Sequence, residues 1–221
     1  MSLWIKICGN TSLEDAMLAA EFGADAASFV FAASPRQVSR EQVAEIVPRL
    51  PGALEKIGVF VDSSFDEIDS IVRSCQLTGV QLHFDASSIL RDRLRERFGP
   101  NLHILQVLHF ATDVTARAAA LVRDENIDAL LVDSRTANAA GGTGTAYDWN
   151  AAIGLFRSDV NAFRLVAAGG LTPENVSQAI STLRPWGVDV VSGVEAAPGR
   201  KDPEKIRKFI SRARAASVPA K

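Results

Sequence analysis

Residues 3–16 read Leu3-Trp4-Ile5-Lys6-Ile7-Cys8-Gly9-Asn10-Thr11-Ser12-Leu13-Glu14-Asp15-Ala16, an apolar run followed by a turn and the start of an amphipathic segment. The run up to Cys8 has the length and composition of a short buried strand. Gly9 permits a turn, Ser12 is a favoured N-cap, and two acidic residues follow in the first helical turn. The stretch therefore predicts a strand, a loop and a helix, with Cys8 where the strand gives way to the loop.

The same unit recurs eight times along the 221 residues. The predicted strands are Leu3–Cys8, Ala26–Phe31, Leu54–Val61, Gly79–His83, Leu102–Leu108, Ala129–Asp133, Phe163–Ala168 and Val188–Val191. The predicted helices are Leu13–Phe22, Arg40–Arg49, Phe65–Ser74, Ser87–Phe98, Asp113–Glu125, Asn150–Phe156, Pro173–Leu183 and Asp202–Ala215. Alternating strands and helices give parallel strands with right-handed crossovers. We therefore predict an α/β fold, one (β/α)8 TIM barrel domain over residues 1–221, with chemistry at the C-terminal strand ends. An open doubly wound sheet is disfavoured because no Gly-x-Gly-x-x-Gly follows any strand.

Composition limits the classes of protein that the chain can belong to. Apolar residues make up 47% and charged residues 23%, with a formal net charge of -2. These values indicate a globular protein with no general attraction to nucleic acid, and no apolar run is long enough to span a membrane. Without a secretory signal, and with only Cys8 and Cys75 as thiols, a reducing cytoplasmic location is expected. Whether the chain is a monomer or a homodimer stays open. The basic residues from Lys201 onwards are assigned to the last helix, where we expect a solvated face rather than an interaction patch.

Cys8 and Asp133 are the candidate catalytic residues. Each ends a predicted strand, the first and the sixth, so both are expected at the barrel mouth. A thiol and a carboxyl group that converge on one small ligand can form a general acid and base pair. Lys6 shares the inward face of its strand with Cys8, and the alternative role for it is a structural charge in the barrel floor. The alternative is that Cys8 is a small buried apolar residue.

Other candidates are suited to binding an anion. Arg36, in Ser34-Pro35-Arg36, can form a fork with a carboxylate or a phosphate, or pair with a neighbouring acid. Glycine-containing loops follow strands seven and eight, the usual phosphate site of such barrels. They hold Gly169 and Gly170, with Thr172 as the expected N-cap, and Ser192 and Gly193, which can open a short extra helix.

Three further candidates are weaker. Gly141-Gly142-Thr143-Gly144 lacks the lysine of a nucleotide loop, so we interpret it as a lid that brings Gly142 and Thr143 over the ligand. A plain flexible connection is the alternative. His83 ends strand four near the mouth, where it can contact substrate, although a lone histidine is more often structural. No residue set has metal-ligand spacing, so no metal is expected.

In their order along the chain, these segments resemble phosphoribosylanthranilate isomerases. The resemblance covers Lys6-Ile7-Cys8-Gly9, Phe29-Val30-Phe31, Ser34-Pro35-Arg36, Val59-Phe60-Val61, Val80-Gln81-Leu82-His83, Leu131-Val132-Asp133-Ser134, Gly141-Gly142-Thr143-Gly144, Asp148-Trp149, Ala168-Gly169-Gly170-Leu171, 187–195 and 198–202. It implies an Amadori rearrangement of a phosphorylated aminoaldose, without a metal or redox cofactor. Asp133 would protonate the furanose ring oxygen, and Cys8, as thiolate, would remove the proton from sugar C2. Arg36 would hold the anthranilate carboxylate, and the backbone at Gly169, Gly170, Ser192 and Gly193 the phosphate.

Three positions depart from this pattern, and two other functions stay open. Phe84 follows His83 where glycine is usual, so the loop after strand four is expected to be reshaped. Ser28 replaces a common glycine and Ser12 a frequent arginine. The alternatives are another phosphosugar isomerase or epimerase on a TIM barrel, and a non-catalytic barrel that only binds a phosphosugar. The joint presence of Cys8 and Asp133 favours turnover.

Overall fold

The chain forms a closed barrel of eight parallel strands. The computed structural model describes residues 2–110, 113–121, 123–133, 149–157 and 164–217. Neighbouring strands in the chain pair with each other, and β8 pairs with β1. The strands are β1 Trp4–Ile7, β2 Ala26–Val30, β3 Glu55–Phe60, β4 Gly79–Leu82, β5 His103–His109, β6 Ala129–Asp133, β7 Arg164–Ala168 and β8 Gly187–Val190. The predicted TIM barrel is confirmed.

The helices lie between the strands. They are α1 Leu13–Glu21, α2 Arg40–Ile46, α3 Phe65–Cys75, α4 Ser88–Phe98, α5 Val114–Leu121, α6 Trp149–Arg157, α7 Val176–Leu183 and α8 Pro203–Ser217. The predicted cap at Ser12 is present, because its side chain accepts a hydrogen bond from the Asp15 N–H. Apolar residues of the helices and of the outward strand faces form the outer core.

The start of α7 and the segment after β8 differ from the prediction. The helix begins at Val176 rather than Pro173, because the Asn175 side chain accepts from the Thr172 N–H and donates to the Gly170 carbonyl. Such local bonds compete with helix formation. After β8, the expected short helix is a single 3-10 turn, Ser192–Val194. An antiparallel hairpin, β9 Glu195–Ala197 and β10 Arg200–Lys201, then leads into α8.

The inside of the barrel changes from apolar to polar towards the C-terminal strand ends. Trp4, Ile57, Leu131 and other apolar residues fill the lower part. Because alternate strand residues face inward, the layer above contains four buried polar side chains, Lys6, Ser28, Gln81 and Asp189. This polar layer forms the floor beneath the mouth. Within the described residues, no helix has both the length and the apolar character needed to cross a membrane.

Candidate active site

Cys8 and Asp133 lie at the same end of the barrel. Cys8 directly follows β1 and donates its backbone N–H to the Val190 carbonyl at 2.9 Å. Asp133 is the last residue of β6, so β7 and β8 separate its strand from β1 around the ring. Both side chains are enclosed, with exposures of 5% for Cys8 and 2% for Asp133. The location of both residues at the C-terminal end of the barrel agrees with the prediction. The catalytic roles of Cys8 and Asp133 stay predictions.

A buried ion pair lies beneath Cys8. Lys6 Nζ is 2.6 Å from Asp189 Oδ1, and the exposures of the side chains are 0% and 5%. Burial lowers the pKa of Lys6, but the Asp189 carboxylate and a side-chain interaction with Cys8 outweigh it and raise the pKa above its ordinary value. Lys6 therefore stays a cation directly below the sulfur.

Arg36 forms a bidentate ion pair with Glu195. Its Nε donates to Oε1 at 2.8 Å and its Nη2 donates to Oε2 at 2.7 Å. The hydrogen bond to Glu195 raises the pKa of Arg36. Burial raises the pKa of Glu195, but Arg36 and Lys201 reverse this and lower it below its ordinary value. Pairing with a neighbouring acid, one of the two outcomes considered for this arginine, is therefore present. Binding of a substrate carboxylate stays a prediction.

Lys201 is buried rather than solvated. Its ammonium donates to the carbonyl oxygens of Cys8 at 2.6 Å and Val191 at 3.2 Å, and to Glu195 Oε1 at 3.3 Å. Burial lowers its pKa, although Glu195 and Cys8 oppose the shift. The expectation of a solvated face was wrong for this residue, because Lys201 lies in β10 and not on α8.

The loops after β7 and β8 pack closely on each other. Gly169 and Gly170 have φ values of +85° and +64°, which disfavour any residue with a side chain. A Cβ added to Gly193 would lie 1.9 Å from the Leu171 carbonyl oxygen, so this position requires glycine. Ser192 opens the adjacent 3-10 turn. Phosphate binding by these loops stays a prediction.

His83 lies in a polar group on the other side of the mouth. Its ring contacts that of His109 edge to face, with centroids 5.2 Å apart. Gln81 Nε2 lies 3.4 Å from His83 Nδ1. The buried atoms Gln81 Oε1 and Ser28 Oγ have no hydrogen-bond partner among the described residues. Both oxygens belong to the polar layer beneath the mouth.

Three expectations remain, which concern Phe84, the segment with Gly142 and Thr143, and the absence of a metal. Phe84 does not adopt a positive φ, so the loop after β4 differs from one built on a left-handed glycine. Gly142 and Thr143 lie outside the described residues. No cluster of three or more His, Cys, Asp or Glu residues suited to a metal ion occurs in the described part of the chain. The expected absence of a metal stays a prediction.

Comparison with known proteins identifies the family. Residues 5–212 match the family model described as N-(5'-phosphoribosyl)anthranilate isomerase. The chain belongs to this isomerase family. An N-(5'-phosphoribosyl)anthranilate isomerase of Citrifermentans bemidjiense is 39% identical over 211 residues, which cover 95% of this chain and 96% of the relative.

Two solved structures of phosphoribosylanthranilate isomerases are similar to this fold. One contains monomers generated from the dimeric enzyme of Thermotoga maritima, with 34% identity, 96% and 99% coverage and a TM-score of 0.80. The other is an enzyme in complex with reduced 1-(o-carboxyphenylamino)-1-deoxyribulose 5-phosphate, with 34% identity, the same coverage and a TM-score of 0.80.

In this member of the phosphoribosylanthranilate isomerase family, the surroundings of Cys8 include Lys201 and Asp189, which the sequence did not place there. Lys6, Arg36 and Lys201 all interact electrostatically with Cys8. Asp189 was detectable in principle, because strand parity places it inward next to Lys6 once β8 closes on β1. No local signal places Lys201 beside Cys8, because 193 positions separate the two residues.

Proposed function

We propose that this chain catalyses the isomerisation of N-(5'-phosphoribosyl)anthranilate to 1-(2-carboxyphenylamino)-1-deoxyribulose 5-phosphate in tryptophan biosynthesis. The observation that carries the proposal is the enclosure of Cys8 and Asp133 at one end of a barrel that belongs to this family. A cytoplasmic location is part of the same proposal. The reaction is an Amadori rearrangement, in which substrate and product are isomers, so it needs no added oxidant or reductant.

Asp133 is the proposed general acid. In the protonated form, it donates a proton to the furanose ring oxygen as the bond between C1 and that oxygen breaks. The nitrogen lone pair forms the C1–N double bond, which gives an open-chain Schiff base. The location of Asp133 at the end of β6, where the side chain is removed from bulk solvent, supports this role.

Cys8 is the proposed general base. As a thiolate, it removes the proton from C2, and the electron pair of the C–H bond moves towards the iminium nitrogen to give an enolamine. Tautomerisation of the enolamine, with proton return at C1 and loss of the proton from the C2 hydroxyl, gives the ketone. The cations Lys6, Arg36 and Lys201 interact with Cys8 and would offset the negative charge of the thiolate.

The two ends of the substrate need separate anion-binding groups. The compound bound by the related enzyme carries a carboxylate and a phosphate. We assign the carboxylate to Arg36, whose Nη1 takes part in no hydrogen bond among the described residues. The phosphate is assigned to the backbone of the β7 and β8 loops, at Gly169, Gly170, Ser192 and Gly193. His83, Gly142 and Thr143 are further proposed substrate contacts.

The test is to follow the loss of phosphoribosylanthranilate fluorescence with purified protein and no added cofactor. We predict that Cys8→Ser and Asp133→Asn each lower kcat by at least about 100-fold, the range for loss of a positioned acid or base. Cys75→Ser is the matched control, because Cys75 lies in α3, where its sulfur donates to the Arg40 carbonyl. A folded Cys8→Ser or Asp133→Asn protein with near-parental kcat would remove that residue from its role. Ligand binding without turnover in the parent would favour the non-catalytic alternative.

A further inference from the structure

A hydrogen bond and two ion pairs connect the strand end at Cys8 to Arg36. Lys201 Nζ donates to the Cys8 carbonyl oxygen at 2.6 Å and to Glu195 Oε1 at 3.3 Å. Glu195 accepts both hydrogen bonds of the Arg36 fork. We call Arg36, Glu195 and Lys201 the brace. It joins the loops after β1 and β2 to the hairpin after β8.

Arg36, at the other end of the brace, also contacts the chain next to Cys8. Gly9, the residue after Cys8, has a φ of +72°, and a Cβ built on it would lie 2.9 Å from Arg36 Cδ. The aliphatic part of Arg36 therefore lies against the backbone next to Cys8. The contacts run in a ring from Cys8 through Lys201, Glu195 and Arg36 to Gly9.

The geometry points to Lys201 and Glu195 as positioning residues, which fix the location of Cys8 relative to Arg36. This inference rests on the proposed function, because it uses the base and carboxylate-binding roles assigned there. The three ammonium donors of Lys201 match three acceptors, the carbonyls of Cys8 and Val191 and the Glu195 carboxylate. The lysine thereby fixes the ends of β1 and β8 and the carboxylate that holds Arg36.

A general contribution to stability is a weak explanation for such an arrangement. The side chain of Lys201 is 0% exposed and that of Glu195 is 4% exposed. Transfer of two charges from water into the protein interior has a cost that often exceeds the gain from their attraction. Burial also lowers the pKa of Lys201, which is the expected sign of this cost. A fixed spacing between base and substrate is a benefit of a different kind, because an error of about 1 Å can slow a reaction about 100-fold.

The experiment compares Lys201→Met and Glu195→Gln with the parent in the fluorescence assay. Lys201→Met is expected to lower kcat about 10-fold or more and to raise KM, because it releases both the Cys8 backbone and Glu195. Glu195→Gln is expected mainly to raise KM, because Glu195 contacts Arg36 but not the Cys8 carbonyl. A purely structural role would lower the folded fraction and leave KM unchanged. Lys208→Met, at an exposed position on α8, is the matched control.

The double variant tests whether the two residues act through one arrangement. If they do, Glu195→Gln adds little to the KM increase of Lys201→Met, whereas independent effects multiply. Multiplying effects, or an unchanged KM in folded single variants, would overturn the inference. If Lys201→Met does not fold, Glu195→Gln and Lys201→Arg supply the comparison: a raised KM supports the inference, and an unchanged KM in both variants overturns it. An inactive parent would instead refute the proposed function.

Discussion

Replacement of Gly193 has a direct steric consequence. Its added Cβ would lie 1.9 Å from the Leu171 carbonyl oxygen, a backbone atom that cannot rotate away. Gly193→Ala must therefore separate the loops after β7 and β8. We predict an increase in KM of about tenfold or more with a smaller change in kcat, because loss of phosphate binding weakens substrate and transition state alike. Steady-state kinetics and competition by inorganic phosphate measure the effect.

A control for this substitution is Gly52→Ala. A Cβ at Gly52 meets no atom within 4 Å, so the same chemical change causes no displacement there. An unchanged KM and an unchanged inhibition constant for phosphate in Gly193→Ala would show that the ligand does not depend on the contact between these loops.

At the scale of single residues, the sequence predicted where site residues lie in the barrel better than it predicted which side chains they contact. Cys8 and Asp133 were placed at the mouth because each ends a strand, and the structure has them there. Glu195 and Lys201 were not assigned to the site, because their contacts join residues that are 159 and 193 positions apart. The ring contact between His109 and His83 arises only when β4 and β5 pair, so the sequence alone did not predict it.

At the scale of elements, β3 and β5 are connected by an ion pair at their N-terminal ends, away from the mouth. His103 Nδ1 lies 3.0 Å from Glu55 Oε2. The other oxygen of this carboxylate, Oε1, accepts a hydrogen bond from Trp4 Nε1. The hydrogen bond to Glu55 raises the pKa of His103, and the charge of Asp128 raises it further. Burial and the charge of Arg164 lower the pKa, but the net shift is upward. Because the folded-state pKa is raised, the pair stabilises the fold fully below the unfolded-state value. This contribution disappears as the pH rises through the folded-state pKa.

We therefore predict a pH-dependent effect of His103→Gln on thermal stability. The Tm difference between parent and variant is expected to be larger at about pH 5.5 than at about pH 8.5, because only the protonated imidazole pairs with the carboxylate. Thermal unfolding followed by circular dichroism measures it. Glu55→Gln should remove the same pH dependence. A Tm difference that does not vary with pH would contradict the assignment.

The sequence predicted the barrel strands more accurately than the start of α7 or the short hairpin of β9 and β10. Every predicted strand overlaps an observed one, because alternating short apolar runs and amphipathic segments identify the repeated unit. The start of α7 was placed too early, because the hydrogen bonds of Asn175 hold residues 173–175 in a turn. The hairpin of β9 and β10 was not predicted, because segments of three and two residues carry no periodic pattern.

At the scale of the whole molecule, the barrel closes where β8 pairs with β1, and the buried pair Lys6–Asp189 lies in this pairing. Removing one partner of a buried ion pair leaves an uncompensated charge in the interior. We predict that Asp189→Asn lowers the free energy of unfolding by about 3 kcal/mol. Urea denaturation followed by tryptophan fluorescence measures the change.

The matched control for barrel closure is Asp66→Asn. Asp66 pairs with Arg93 at 3.7 Å on the surface, where its side chain is 90% exposed. Exposed ion pairs contribute little to stability, so the control should unfold at nearly the same urea concentration as the parent. Equal midpoints for Asp189→Asn and Asp66→Asn would show that the pair does not hold the first and last strands together.

The ring of contacts around Cys8 also has a consequence for protein synthesis. Arg36 is translated 159 residues before its partner Glu195, and Cys8 is translated 193 residues before Lys201. Until those residues are added, the thiol and the guanidinium group therefore lack the side chains that later contact this region of the chain. A nascent chain stalled before residue 195 should expose Cys8 to alkylation, and protection should begin only when the final hairpin emerges from the exit tunnel.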